Sequence, residues 1–259
     1  MISNAERQYM ALVQEIKELG ALKKPTKGAT LSVFHRTLTI RPDEVPLLQG
    51  RRIYWKGILG ELKAFMANED TVKGFEKHGC NFWGAWANDD GSLDVDYARL
   101  LHDFNGVNQL SRLIGSLSLT PHSRKHVISL WDPSSKALQV PCVLNYQWYV
   151  EDGTLHMIWN QRSVDVMIGL ASDMFSAWLL NKLMAEAVGL KAGMVYMDLG
   201  DCHIYAEHLP FVKTYIDNVW DDIVMERPGY KLTFDSIYNF DLEVTNYNPV
   251  EPIKFELKV

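Results

Sequence analysis

Residues 138–162 hold the feature that most restricts how this chain can fold. LQVPCVLNYQWYV (138–150) and TLHMIWNQR (154–162) are rich in branched and aromatic side chains, and Glu151-Asp152-Gly153 lies between them. Such segments suit strands, and an Asp-Gly step is the tight turn that closes two strands into a hairpin. HVISLW (126–131) and GMVYMDL (193–199) read as further strands, and residues 30–55 alternate in the same way, with Pro42 and Pro46 in turns. Helical spacing surrounds them. It predicts helices over 5–20, over 57–78 with Leu59, Leu62, Phe65 and Met66 on one side, over about 97–118, and over 173–188 with Phe175, Leu179, Leu183 and Ala187 on one face. Residues 84–94 are a polar loop. The pattern is α+β, a large sheet with helices packed against it.

The 259 residues show no repeat, low-complexity tract or long linker, so one continuous domain is expected over 1–259, with 1–28 as an N-terminal helix and variable segment. Hydrophobic residues at 47% and charged residues at 22% suit a soluble enzyme. A net charge of -6 argues against a general nucleic-acid binder but leaves room for a small basic phosphate pocket. The amphipathic start lacks the apolar core of a signal peptide, and no apolar run is long enough to span a membrane, so a cytoplasmic protein is expected. Cys80, Cys142 and Cys202 show no CxxC spacing and cannot all pair, which suits a reducing compartment. Cys202, His203 and His208 match no zinc spacing, and neighbours on a strand point apart.

Cys142 stands in VPCVLNYQW, where Pro141 removes one sheet donor and marks an edge, bulge or irregular point. Most cysteines are small buried hydrophobes. A reactive thiolate needs positive charge or donors nearby, and Arg124, Lys125, Arg162 and His203 all fall at strand ends or in loops.

These residues belong to segments that together resemble the thymidylate synthase family. VPCVLNYQWYVEDGTLHMIWNQRSVDVMIGL is similar to the stretch around that family's nucleophilic cysteine and its QRSxD segment, here Gln161-Arg162-Ser163-Val164-Asp165. HSRKHVISLW resembles the phosphate-binding arginine pair and the strand after it, GDCHIYAEH the GDxHxYxxH segment, and GELKAFM the helix that carries the family's glutamate. FWGAWANDDGSLDVDY resembles the tryptophan-rich loop, and YNPVEPIKFELKV the closing tail. The matches run in family order from about residue 29 to residue 259. One such motif is weak, but several in order are specific.

The resemblance implies a large mixed sheet with one face at a homodimer interface, and 5,10-methylenetetrahydrofolate as co-substrate. It implies that Cys142 attacks carbon 6 of a pyrimidine nucleotide, that Glu61 organises water and moves protons, and that Tyr97 sits near the water that removes the carbon 5 proton. Gln161, Arg162 and Ser163 fall on the nucleotide side, and Arg124 and Lys125 match a pair that reaches the partner subunit's phosphate. His203 and Tyr205, on one side of a strand, match the pair on the sugar hydroxyl. Trp83, Trp86, Asp165, Gly169 and the C-terminal Val259 match the folate side. Read alone, HSRK is a solvated turn, Glu61 an exposed helix residue, and His203, Tyr205 and Trp83 core side chains with satisfied tips. The chain departs from the family at Lys125, an arginine there, and at Pro25, where Lys24 and Lys27 stand close enough to replace a phosphate-binding arginine.

The departure that bears on substrate is Asp173. The family's asparagine at this place reads uracil, donating to O4 and accepting from N3–H. Cytosine presents an amino donor at carbon 4 and an acceptor at N3, which a carboxyl sharing a proton can satisfy. Mispaired buried polar groups discriminate by about 10⁴ or more. The phage deoxycytidylate hydroxymethylases carry an aspartate here, and Ser163 matches the deoxyribonucleotide enzymes. In a purely structural role Ser172 or Asp173 would be an N-cap before the helix that follows. Val143, in place of the histidine that usually follows the nucleophile, points the same way as Asp173. The expected reaction is hydroxymethylation of deoxycytidine monophosphate (dCMP). The alternatives are its reductive methylation, then the thymidylate synthase reaction or hydroxymethylation of deoxyuridine monophosphate (dUMP), then a non-catalytic nucleotide- or RNA-binding relative. Neither a membrane nor direct nucleic-acid contact is expected.

Overall fold

A computed structural model describes residues 2–137, 140–220 and 226–257. The predicted hairpin is present: β4 (Val143–Glu151) pairs antiparallel with β5 (Thr154–Asp165). Asp152 and Gly153 close it with φ values of 46° and 73°, the left-handed pair that a two-residue hairpin turn requires. β4 begins at Val143, not near residue 138, and the part of the predicted strand at Leu138 and Gln139 lies outside the described residues. The register shifts between Val143 and Asn145, so the irregularity signalled by Pro141 is a bulge at the strand's entry.

After β5 the chain runs through α6 (Gly169–Val188) into β6 (Lys191–Tyr205), which returns parallel to β5. β1 (Ala21–Lys23), β2 (Thr30–Ile40) and β3 (Val127–Ser129) complete a six-stranded mixed sheet in the order β1-β2-β6-β5-β4-β3. α6 is the central helix. Phe175, Trp178, Leu179, Leu183 and Met184 are buried around most of its circumference, as expected for a helix sunk in the core. Asn181 bonds it to the sheet, its amide donating to Leu155 O at 3.1 Å and Gly193 O at 3.2 Å. The opposite sheet face leaves Tyr149, Tyr196 and Val127 exposed.

The remaining elements are α1 (Asn4–Leu19), α2 (Trp55–Met66), α3 (Val72–Lys77), α4 (Tyr97–His102), α5 (Gln109–Leu119), α7 (Leu209–Trp220) and the separate hairpin of β7 (Gly229–Ser236) and β8 (Asn239–Thr245). Several expected elements are shorter or divided. Residues 57–78 form two helices because Asn68 turns into the left-handed region (φ 58°) and Thr71 caps α3 by accepting from Gly74 N. Residues 97–118 divide at Asn105 and Gly106, both at positive φ, and Asn108 caps α5 through Ser111 N. The strand expected over 30–55 ends at Ile40, where its pairing with β6 ends. Beyond it the backbone N–H groups of Gln49 and Gly50 donate to the buried carboxylate of Glu6. Ser172 and Asp173 lie inside α6, which starts at Gly169, so neither is an N-cap. β3 is shorter and β6 longer than expected.

One row of the sheet matters for the site. Arg162 of β5 lies opposite Gly200 of β6, where a β-carbon would stand 2.4 Å from Arg162 O, so only glycine lets the strands approach. Here the alternation of buried side chains slips: Trp159 and Gln161 are buried before it and Val164 after it. Gln161 is buried and Arg162 exposed, and residues 161–165 all border one cavity at the end of the strand.

Candidate active site

The cavity, about 530 Å³, opens between the ends of β5 and β6, α2, α6 and the Trp83–Trp86 turn. Cys142, Glu61, Tyr97, Gln161, Arg162, Ser163, Asp165, Gly169, Asp173, His203, Tyr205, Trp83 and Trp86 all line it. Arg124 and Lys125 do not. Arg124 is exposed, and Lys125 borders a second hollow beside α5. Val259 lies outside the described residues, and Leu257 is the tail residue that reaches the cavity wall.

Cys142 is held by its backbone on both sides. Its N–H donates to Tyr97 Oη at 2.9 Å, and its carbonyl accepts from Arg162 N at 2.9 Å. The Arg162 guanidinium donates to Pro141 O and Val140 O, each at 3.1 Å, and lies over the Trp131 ring. The side chain expected on the nucleotide side therefore also ties down the approach to the cysteine. Burial raises the Cys142 pKa, Arg162 and Lys27 oppose that rise, and Asp173 adds to it. Without ligand this cysteine is a thiol whose ionisation depends on the cations facing it. Lys27, rather than Lys24, lines the cavity.

Two buried carboxyls share the cavity. Glu61 of α2 accepts from Trp83 Nε1 at 2.7 Å, and burial pushes its pKa up to about 8. Asp173 of α6 accepts from Gln161 Nε2 at 2.9 Å, and burial pushes its pKa up to about 7. Both therefore hold a proton through much of the neutral range.

The β6 end contributes His203 and Tyr205 on one side of the strand, ring centroids 5.4 Å apart. His203 Nδ1 meets Asp201 Oδ1 at 3.2 Å, and Asp201 Oδ2 accepts from Lys23 Nζ at 2.7 Å. Asp165 caps the turn into α6, its Oδ1 accepting from Met167 N at 2.9 Å and Ile168 N at 3.3 Å. Burial raises its pKa, and His208 and His203 oppose the rise. Trp83 and Trp86 are neighbours at 5.3 Å, and Trp86 Nε1 is a buried donor without a partner among the described residues. The tail is seated nearby. Phe255 packs on His208 and Phe211, Arg51 lies over its ring, and Glu256 O meets His208 Nε2 at 3.0 Å.

Phe65, marked by sequence only as an apolar helix residue, also lines the cavity, as do Tyr146, Trp159, Ser176 and Leu180, which no sequence motif marks. Trp159 was within reach, because it lies two residues before Gln161 on a strand and so faces the same side.

The family model described as Thymidylate synthase matches residues 7–259. A thymidylate synthase of Corynebacterium aurimucosum is 31% identical over 272 residues, covering 100% of both chains. One of Bacillus mojavensis is 30% identical over 285 residues, covering 98% of this chain and 99% of its own.

Proposed function

The chain belongs to the thymidylate synthase family, whose members use 5,10-methylenetetrahydrofolate as co-substrate, and we propose that this member hydroxymethylates carbon 5 of dCMP. The observation that carries the reading is Asp173, a carboxyl on the cavity wall that accepts from Gln161 where the family's uracil reader is an asparagine. Holding a proton, it accepts from the cytosine amino group through one oxygen and donates to N3 through the other. Against uracil the same carboxyl sets acceptor against O4 and donor against N3–H.

Cys142 adds to carbon 6 as the thiolate, favoured by Arg162 and Lys27, and its electron pair pushes charge into carbon 5, carbon 4 and N3. Asp173 stabilises that charge at N3 and the amino group, where it develops. Glu61 and Tyr97 face the cavity where the carbon 5 proton must leave, by way of water. Arg162, Ser163 and Lys27 take the phosphate, and His203 and Tyr205 the sugar hydroxyl. Folate would lie along Trp83, Trp86, Asp165, Gly169 and the tail. The fit rests on two neighbouring indoles, the Trp86 donor without a partner among the described residues, and the Asp165 carboxyl on the cavity wall. Bound there, folate supplies the one-carbon unit. That unit would be released from the folate with tetrahydrofolate left unoxidised, water would then add to the carbon held on carbon 5, and Cys142 would leave carbon 6 to restore the free thiol.

Arg124 and Lys125, outside their own cavity, reach the partner's phosphate in a homodimer formed through the open sheet face of Tyr149 and Tyr196. The family is typically homodimeric. The neighbouring Trp83 and Trp86 rings favour a second reading, methylation of dCMP by hydride from folate, in which they would keep water from that end of the cavity.

The test is incubation with 5,10-methylenetetrahydrofolate and either dCMP or dUMP, following dihydrofolate absorbance and nucleotide mass. Hydroxymethyl-dCMP without dihydrofolate is expected. Dihydrofolate with methyl-dCMP would establish the second reading, and turnover of dUMP alone would refute the role of Asp173. Cys142→Ser is expected to abolish turnover.

A further inference from the structure

Gln161 is buried near the end of β5 among three polar partners. Its Oε1 accepts from Trp159 Nε1 at 2.8 Å. Its Nε2 donates to Ser163 O at 3.1 Å and to Asp173 Oδ2 at 2.9 Å. An indole N–H can only donate and a backbone carbonyl can only accept. The three bonds therefore admit one orientation of the amide, with its oxygen toward Trp159 and its NH2 toward Asp173. Trp159 is 4% exposed and packs against Tyr146 at 4.7 Å, which holds the indole in place.

We propose that Trp159 is a specificity-positioning residue: acting through Gln161, it fixes the hydrogen-bonding polarity with which Asp173 reads the base. The inference rests on the reading of Asp173 above and deepens it. The carboxyl oxygen that accepts from Gln161 stays an acceptor, and the hydrogen sits on the other oxygen. The relay runs in one direction, from the Trp159 N–H through the Gln161 amide and the Asp173 carboxyl to a base nitrogen that must accept. Cytosine N3 meets that demand and uracil N3–H opposes it. Neighbouring bonds in such a chain polarise one another in the same sense.

A specific consequence follows for Asp173→Asn. The introduced amide would place its oxygen toward Gln161 and its NH2 where the carboxyl O–H stood, so it would still suit cytosine. Reading uracil requires that amide to turn over and Gln161 to turn with it, which the Trp159 N–H and the Ser163 carbonyl both resist. Phenylalanine in place of Trp159 keeps a ring in the core and removes that donor.

The experiment compares kcat/KM for dCMP and dUMP in the full-length wild type, Trp159→Phe, Asp173→Asn and the double variant. Nucleotide binding is measured on the same four proteins, so a variant without turnover still reports a preference. General loss of structure weakens both nucleotides alike and cancels in their ratio. Asp173→Asn alone is expected to keep the dCMP preference. Trp159→Phe alone is expected to move the ratio by less than about tenfold, because Ser163 and Asp173 still take the Gln161 NH2. The double variant is expected to shift toward dUMP by roughly 10- to 30-fold relative to Asp173→Asn, with the Ser163 carbonyl as the remaining constraint on the amide. A switch to dUMP by Asp173→Asn alone, or a double variant equal to the product of the single changes, would overturn the role of Trp159 while leaving the dCMP reading intact. A wild type that prefers dUMP would overturn both.

Discussion

Tyr97→Phe removes one oxygen from the core and leaves the ring, which stacks on Phe65 at a centroid distance of 5.3 Å. That oxygen is the acceptor for the Cys142 N–H at 2.9 Å. The other holds on this segment come from β5, through Arg162 N on the Cys142 carbonyl and the Arg162 guanidinium on Val140 and Pro141. None of them can accept a hydrogen bond in place of Tyr97. A buried N–H left without an acceptor costs about 1–3 kcal/mol, which corresponds to roughly 5- to 150-fold in a rate or equilibrium constant. The loss is expected in kcat, because the displaced group is the backbone of Cys142, the proposed nucleophile, while KM for the nucleotide changes little. Burial raises the Tyr97 pKa well above the ordinary tyrosine value, so the group removed is the neutral phenol at any working pH. Three readings on one preparation test this: steady-state kinetics, the rate of Cys142 alkylation by iodoacetamide, and the urea unfolding midpoint. A wild-type kcat together with a wild-type alkylation rate would refute the positioning role. A fall in stability with unchanged kinetics would assign the bond to folding alone.

Glu61 and Asp173 set the expected pH response. Burial raises both pKa values from 4.5 and 3.8 to about 8 and about 7, so the folded state binds protons that the unfolded chain releases. Their contribution to stability is full below the unfolded values and is lost as pH rises through the folded ones. The thermal midpoint of the ligand-free protein is expected to fall between about pH 4 and pH 8, and less steeply in Glu61→Gln; a midpoint independent of pH in that range would refute it. KM for dCMP is expected to rise above about pH 7 as Asp173 loses its proton, with Asp173→Asn flat over the same range. For the shared site, an Arg124→Ala/Lys125→Ala variant and Cys142→Ser are each expected to be inactive, and an equal mixture dissociated and reassociated should recover about a quarter of wild-type activity, since half the dimers then carry one complete site. No recovery, in a mixture shown by mass to contain heterodimers, would place the two basic residues in their own subunit's site.

Local pattern carried a large part of the architecture because strands and hairpin turns are local properties. The Asp152-Gly153 turn and the branched, aromatic segments around it fixed the β4–β5 hairpin before any tertiary contact was known. The helix divisions at Asn68 and at Asn105-Gly106 were harder to see, because apolar spacing continues across each break and only the backbone conformation changes. The site was legible as a set of residue types at family spacing, and thirteen of those positions do line one cavity.

The sequence by itself determined the chemical groups: a cysteine, two carboxyls and several cations at family spacing. Only the tertiary structure decided their states. Burial turned Glu61 and Asp173 into acids that hold protons near neutrality, and folding brought Gln161 and Arg162 to the wall of one cavity. The polarity of Gln161 depends on an indole, a backbone carbonyl and a helix carboxyl that meet only when β5 and α6 pack together. Desolvation and hydrogen-bond direction are properties of that packed environment, and no spacing along the chain encodes them.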